Sequence, residues 1–224
     1  IYTGIGKDNI DARKDLIIEK NGKKIAIIAV CEHEYSYALK DREGCREYDP
    51  YDTNDDIVEA KKNADFVVVM YHGGKEHCRY PSPRLLKACR SMVKHGADLV
   101  LCQHTHCIGC YEEFMGSHIL YGQGNFVFIE GGEPDELWDY CLLVKAEFTD
   151  KVSLEFIPVM VNGDEGIKLC KGEEKERILS ELFERSKSIK DGTWEEKWEE
   201  FCYSSTCSWY KFLPENLENR VALK

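Results

Sequence analysis

Three short apolar runs, Ile25–Cys31, Phe66–Tyr71 and Asp98–Cys102, constrain this chain more than any other feature, because helical patterns separate them. A strand with one face in water alternates apolar and polar residues. These runs are nearly continuous, which marks strands covered on both faces. The first follows Asn21-Gly22, a turn dipeptide. Between the first and second, Thr53 to Ala64 carries Asp55 and Asp56 in an opening turn and Ile57, Val58 and Ala60 inside, a helix pattern. Between the second and third, Ser82 is placed to cap a helix with Pro83 at its first position. Leu85, Leu86, Cys89, Met92 and Val93 share one face of it, and Gly96 stops it. The order β-α-β-α-β predicts a parallel sheet with right-handed crossovers.

After His106 the rhythm changes. Cys110–Phe114, His118–Tyr121, Phe126–Glu130, Tyr140–Thr149 and Ser153–Val161 read as strands with short connections, so an antiparallel section is expected. From Gly172 the pattern is helical. Ile178, Leu179, Leu182, Phe183 and Ile189 form one face that ends at Gly192, and Thr193 with Glu196 has the spacing of a capping box.

With 224 residues, 43% of them hydrophobic and 32% charged, the chain has the composition of a globular protein. A net charge of −11 argues against a nucleic-acid groove, whose affinity rests on phosphate neutralisation by Lys and Arg. No segment approaches the run of roughly 18 apolar residues that marks a membrane helix. The opening IYTGIGKDNID has no basic or apolar signal region and no initiator Met, the expectation for a processed or trimmed piece. Eleven Cys lack the spacing of a disulfide scaffold, and Cys31, Cys89 and Cys141 sit in apolar settings. That usage favours a reducing, cytoplasmic setting. A cell-envelope location stays open if an upstream signal or anchor was removed.

Polar residues just past strand ends carry the candidate chemistry. His72 follows Phe66–Tyr71 and precedes Gly73-Gly74; His104 and His106 follow the next strand at the corresponding rim. Ligands gather at the carboxyl ends of parallel strands. In an extended segment residues i and i+2 face one side, so both imidazoles of His104-x-His106 can turn to one ion. Three imidazoles there make a metal site the leading reading, with Zn, Mn or Fe as candidate ions. Glu76 is placed to orient a ligand or a water, with His77 beside it. Asn125, in Gly-Asn-Phe, offers an amide to a substrate oxygen, or is simply a left-handed turn residue. A structural zinc is the competing reading, because CQHTHCIGC gathers Cys102, His104, His106, Cys107 and Cys110. No GxSxG, GxxxxGK[ST] or helix-opening GxGxxG is present, so serine-hydrolase and phosphate-loop chemistry are set aside.

These blocks closely resemble the bacterial capsule-synthesis (CapA, PGA-cap) family associated with poly-γ-glutamate, over about Tyr2 to Ile129. Its pattern runs approximately HWGxEY, then GADxVxGHHPH, then ExYxGxxIxYSLGNFxF. His72, Gly74 and Glu76 match the first block; Gly96-Ala97-Asp98, His104 and His106 match the second. Glu112 or Glu113, Gly116, Ile119, Tyr121, Gly124, Asn125 and Phe126 match the third. The resemblance implies a calcineurin-like metallophosphatase fold, an α/β/β/α sandwich holding two divalent transition-metal ions at the sheet rim. It implies His72, His104 and His106 as metal ligands, and a hydrolytic chemistry in which the metals polarise a phosphoryl or acyl oxygen and supply a hydroxide. Glu76 and Asn125 would then act in catalysis on a phosphoester or an anionic polymer.

Three departures qualify it. The superfamily's early Asp-x-His, Gly-Asp and Gly-Asn-His/Glu blocks are absent, Gln103 replaces a Gly, and Gly73 replaces a Trp. The chain therefore reads as the C-terminal half of such a domain (1–171) with a helical extension (172–224). The alternative function is a non-catalytic component of a polymer synthesis or export assembly. Capsule-synthesis machinery is the expected partner, and no nucleic acid or membrane segment is expected.

Overall fold

The computed structural model describes residues 1–32, 36–127, 137–162 and 166–209, the side chains at 162 and 207–209 excepted. The N-terminal segment forms β1 (Ile5–Gly6), α1 (Asn9–Ala12) and β2 (Leu16–Lys20). Asn21 and Gly22, with φ of 52° and 73°, then turn β2 back onto β3 (Lys23–Cys31) as an antiparallel hairpin. Positive φ at both central residues is what a two-residue type I′ hairpin turn requires.

Beyond β4 (Gly44–Cys45), which pairs with β1, comes α2 (Pro50–Asn63). It begins three residues before the expected Thr53. Asp49 is the reason: its carboxylate accepts from the Tyr51 and Asp52 amides, and Pro50 fills the first turn where no amide is needed. β5 (Phe66–His72), α3 (Pro83–Lys94) and β6 (Leu99–Gln103) follow as the spacing predicts. Ser82 Oγ accepts from the Leu85 amide, and Gly96 leaves the helix at φ 118°.

β3, β5 and β6 are parallel neighbours. The antiparallel expectation after His106 holds only in part. β7 (Tyr111–Phe114) and β8 (Ser117–Leu120) form a hairpin, but β8 lies parallel to β6 and β7 takes the outer edge. The sheet order is β2-β3-β5-β6-β8-β7. The loop after β6 carries the chain past one strand position, so the returning arm of the hairpin fills the vacant edge. β9 (Tyr140–Phe148), β10 (Val152–Asn162) and β11 (Gly166–Leu169) make a separate antiparallel sheet. Of the strand expected at Phe126–Glu130, Phe126 and Val127 lie in a bend, and the remainder lies outside the described residues.

Both faces of the large sheet are covered. Val67, Val69 and Tyr71 turn to α2 and α3, packing with Ile57, Leu85 and Met92. Val68, Leu99 and Leu101 turn the other way, onto Leu142 of β9 and Phe156 of β10. This is the helix/sheet/sheet stacking of the expected α/β sandwich. α4 (Gly172–Asp191) touches β7 and β10, lending Ile178 and Leu182 to the inter-sheet core. Its end is Gly192 at φ 85°, and α5 (Trp194–Trp209) follows. The hydroxyl of Thr193, the residue before α5, donates to Asp191 Oδ1 (2.7 Å) in the turn that joins the two helices. No helix among the described residues is long and apolar enough to cross a membrane.

Candidate metal centre

The loops that leave β5 and β6 are laced together by their backbones. The Gly73 amide donates to Gln103 O (3.2 Å) and the His77 amide to Thr105 O (2.8 Å). Thr105 is buried, and its hydroxyl donates to Cys107 O (3.1 Å). Gly122 lies so close beneath that a Cβ there would meet Thr105 Oγ1 at 2.5 Å. This lacing sets Glu76, on the first loop, opposite His104 and His106 on the second.

Glu76 Oε1 lies 3.9 Å from His104 Nε2 and 4.0 Å from His106 Nε2. One ligand atom from each of the three residues falls within 4.8 Å of the others, and this is the one such group among the described residues. His72 stands beside it, its ring centroid 4.8 Å from that of His104, but outside the group. The His104-x-His106 segment is not extended, as the i, i+2 argument supposed. His104 and His106 adopt φ of 86° and 55°, so a left-handed turn aims both rings. His77 is also left-handed, at 62°; three of the five such non-glycine residues among those described sit in these two loops. Each costs of order 1–3 kcal/mol, and strain of this kind concentrates at sites where geometry matters more than stability.

Asn125 fixes the ring of His106. Its Nδ2 donates to Trp138 O (3.1 Å) and His106 O (3.4 Å), which settles the orientation of the amide. Its Oδ1 therefore faces His106 Nδ1 at 2.7 Å, and an oxygen can only accept. Nδ1 therefore carries a proton toward Asn125, and Nε2 is the ring nitrogen on the side of Glu76, 4.0 Å from Oε1. An unprotonated Nε2 and a carboxylate oxygen at that distance repel unless a cation lies between them. Asn125 is not among the left-handed residues, so the turn reading of it falls; Gly124, at φ 83°, takes that conformation. Trp138 stacks on His106 (centroids 4.8 Å) and on His77 (5.6 Å) as a wall of the site.

Sequence reasoning passed over Glu32. It follows β3 as one acid among many, with no motif around it, yet its side chain is only 10% exposed. It accepts from the Tyr71 hydroxyl and from the Gly74 amide (3.0 Å), while its own amide donates to His72 O (2.9 Å). Burial and the adjacent carboxylate push the Tyr71 phenol far up, so it remains an O–H donor. Arg84 approaches to 3.6 Å. The pair explains Gly73, where a Cβ would meet Glu32 Cγ at 2.4 Å and Tyr71 Cε1 at 2.7 Å.

Donor chemistry fits a divalent transition ion. Two neutral imidazoles and a carboxylate, each needing about 2.0–2.2 Å to the ion, can share one placed between atoms 3.9 and 4.0 Å apart. The cysteines of CQHTHCIGC take no part in that group. Cys107 and Cys110 are fully buried, and burial pushes their thiols up to about 11 and about 12. Cys110 Sγ instead donates to Arg79 O (3.4 Å).

Of the two acids that match the third family block, Glu112 is the buried one. It takes a fork of bonds from Arg90, the shortest 2.6 Å, and one from the Tyr121 hydroxyl (2.6 Å), tying α3 to β7 and to the residue that follows β8. It lies outside the group of Glu76, His104 and His106.

Residues 1–130, more than half of the chain, match the family model described as bacterial capsule synthesis protein PGA_cap. The chain belongs to that family. It is 36% identical over 131 residues to the PGA biosynthesis protein CapA of Bacillus subtilis (strain 168), covering 57% of this chain and 34% of that protein. The capsule biosynthesis protein CapA of Bacillus anthracis is 31% identical over 136 residues, covering 58% and 33%. The chain thus spans about a third of the length of these relatives. Among solved structures, a Staphylococcus aureus protein provisionally assigned as a 5′-nucleotidase, solved with alpha-ketoglutarate, aligns with a TM-score of 0.43 at 13% identity. That alignment covers 80% of this chain and 36% of the other. A hypothetical protein from Thermus thermophilus gives 0.40 at 16% identity, covering 63% and 61%.

Proposed function

We propose that this chain carries metal-binding residues of a capsule (poly-γ-glutamate) biosynthesis protein of the CapA type, and that the site serves metal-dependent hydrolysis. One observation carries the reading: Glu76, His104 and His106 hold three ligand atoms within 4.8 Å, on two strained loops at the carboxyl ends of parallel strands. His104 and His106 would hold the ion through Nε2 and Glu76 through Oε1. His72, next to His104, is placed to serve a second ion. A divalent ion there supplies Lewis acidity toward a phosphoryl or acyl oxygen and acidifies water.

The chain's own groups set the conditions for that chemistry. Asn125 holds the proton of His106 on Nδ1 and so keeps Nε2 available as a donor. Trp138 covers one face of His106 and His77 and limits water there. Glu32 anchors the His72–Gly74 turn from below. With a net charge of −11 on the chain, an anionic substrate is drawn to this rim only where cations outweigh the acids.

The test is a hydrolysis screen of the full chain loaded with Mn²⁺, Zn²⁺ or Fe²⁺, on aryl phosphomonoesters, aryl phosphodiesters and poly-γ-glutamate. Turnover that needs the metal and disappears in His104→Ala supports the hydrolase. Bound metal without turnover on any of them overturns the hydrolase in favour of a non-catalytic component of a polymer-assembly complex.

A further inference from the structure

A second chemical feature lies next to this rim and does not depend on metal binding. Cys31, the last residue of β3, and Cys45, in β4, come from segments 14 residues apart, and their sulfurs sit 3.1 Å from each other. Both line a surface pocket of about 400 Å³ together with His72, Arg46 and Gln103. Their settings differ. Cys31 is buried and donates to Arg46 O (3.4 Å); Cys45 is partly exposed and lies against Ser36 O (3.2 Å).

We propose that Cys31 and Cys45 are a redox-active pair that closes reversibly into a disulfide with a small disulfide oxidant such as glutathione disulfide. Exposure assigns the roles. The Cys45 thiolate attacks one sulfur of the oxidant, forming a mixed disulfide and expelling one thiolate. The Cys31 thiolate then attacks the Cys45 sulfur, closing the internal bond and expelling the second thiolate. Two protein thiols lose two protons and two electrons in total, and the oxidant is reduced to two thiols.

Proximity alone does not make such a pair, as the other close cysteines show. Cys89 and Cys102 also approach, to 3.5 Å, but both are fully buried, and burial drives the Cys89 thiol well up. Neither offers an exposed attacking sulfur. Cys31 and Cys45 have an open pocket wall instead. Closing the bond would fix β4 to the end of β3, where Cys31 is in register with His72 and Glu32 follows directly. Oxidation would thereby stiffen one wall of the rim.

Tryptic mapping tests this on the full chain, because Lys40 and Arg42 fall between the two cysteines and place them on separate peptides. The protein is incubated with glutathione disulfide, alkylated in denaturant and digested. The expected product is peptide 25–40 linked to peptide 43–46, with Cys89 and Cys102 alkylated, and the link reversed by dithiothreitol. Cys45→Ser, at the partly exposed position, should remove the link without loss of fold by circular dichroism; Cys31→Ser should stop at glutathionylated Cys45. A wild-type chain that stops at glutathionylated Cys45, or leaves both thiols alkylatable, overturns the proposal.

Discussion

Asn125 Oδ1 accepts the Nδ1 proton of His106 across 2.7 Å, while the Asn125 amide nitrogen is held by the Trp138 carbonyl at 3.1 Å. The hydrogen bond leaves Nε2 as the donor atom on the side of Glu76. Asn125→Ala removes the constraint on tautomer and ring angle. It should weaken divalent-metal binding about 10- to 100-fold, as loss of outer hydrogen bonds to ligands does. Titration calorimetry with Zn²⁺ or Mn²⁺ measures this, and unchanged affinity in a folded variant would remove Asn125 from the positioning role.

Glu32 stabilises the rim from beneath by satisfying one buried donor, the Tyr71 hydroxyl, and one partly buried donor, the Gly74 amide. Glu32→Ala leaves the Tyr71 hydroxyl and the Gly74 amide without their acceptor, at about 1–3 kcal/mol for each orphaned group. Glu32→Gln keeps one acceptor oxygen and should cost less. Urea unfolding orders the three proteins, and a Gln variant no more stable than the Ala variant would count against this account.

Gly73 and Glu32 are coupled by space. Gly73→Ala sets a methyl against Glu32 Cγ and Tyr71 Cε1 and should destabilise by about 1–3 kcal/mol through overpacking. In a Glu32→Ala background part of that volume is empty, so the same substitution should cost less. Strictly additive losses in a double-mutant cycle would show that the two do not share the space.

Alkaline pH should destabilise the fold through its buried thiols. Burial raises Cys78 and Cys107 to about 11 and Cys110 and Cys141 to about 12, from an ordinary 9.0. Each pKa is higher folded than unfolded. The stability is therefore fully present below 9.0 and is lost progressively as pH rises toward 11 and 12, because only the unfolded chain releases these protons. Urea midpoints should hold up to about pH 9 and then fall. A midpoint constant from about pH 9 to 11 would contradict the burial of these groups.

The layered core was legible because its signals are local. Continuous apolar runs, the Ser82-Pro83 start, the Gly96 and Gly192 stops and the Asn21-Gly22 turn each act within a few residues. The parallel placing of β8 was not, since it depends on which edge was vacant when the hairpin returned. The candidate metal group was half legible: spacing pointed to His104 and His106, but a left-handed turn, not an extended segment, turns them together. Glu76 came to the same place through a backbone hydrogen bond, His77 to Thr105, that side-chain patterns do not encode. Glu32 and Trp138 gave no signal, because a lone acid or a lone Trp is legible only by what surrounds it.

Metal content tests the central claim most directly. The full chain, purified without chelator, is compared by inductively coupled plasma mass spectrometry with a His104→Ala, His106→Ala variant shown to be folded by circular dichroism. The account predicts at least one transition-metal ion per wild-type chain and none in the variant. A wild-type chain that is folded and binds no Mn²⁺, Zn²⁺ or Fe²⁺ even after incubation, or a variant that retains the same ion, would contradict it.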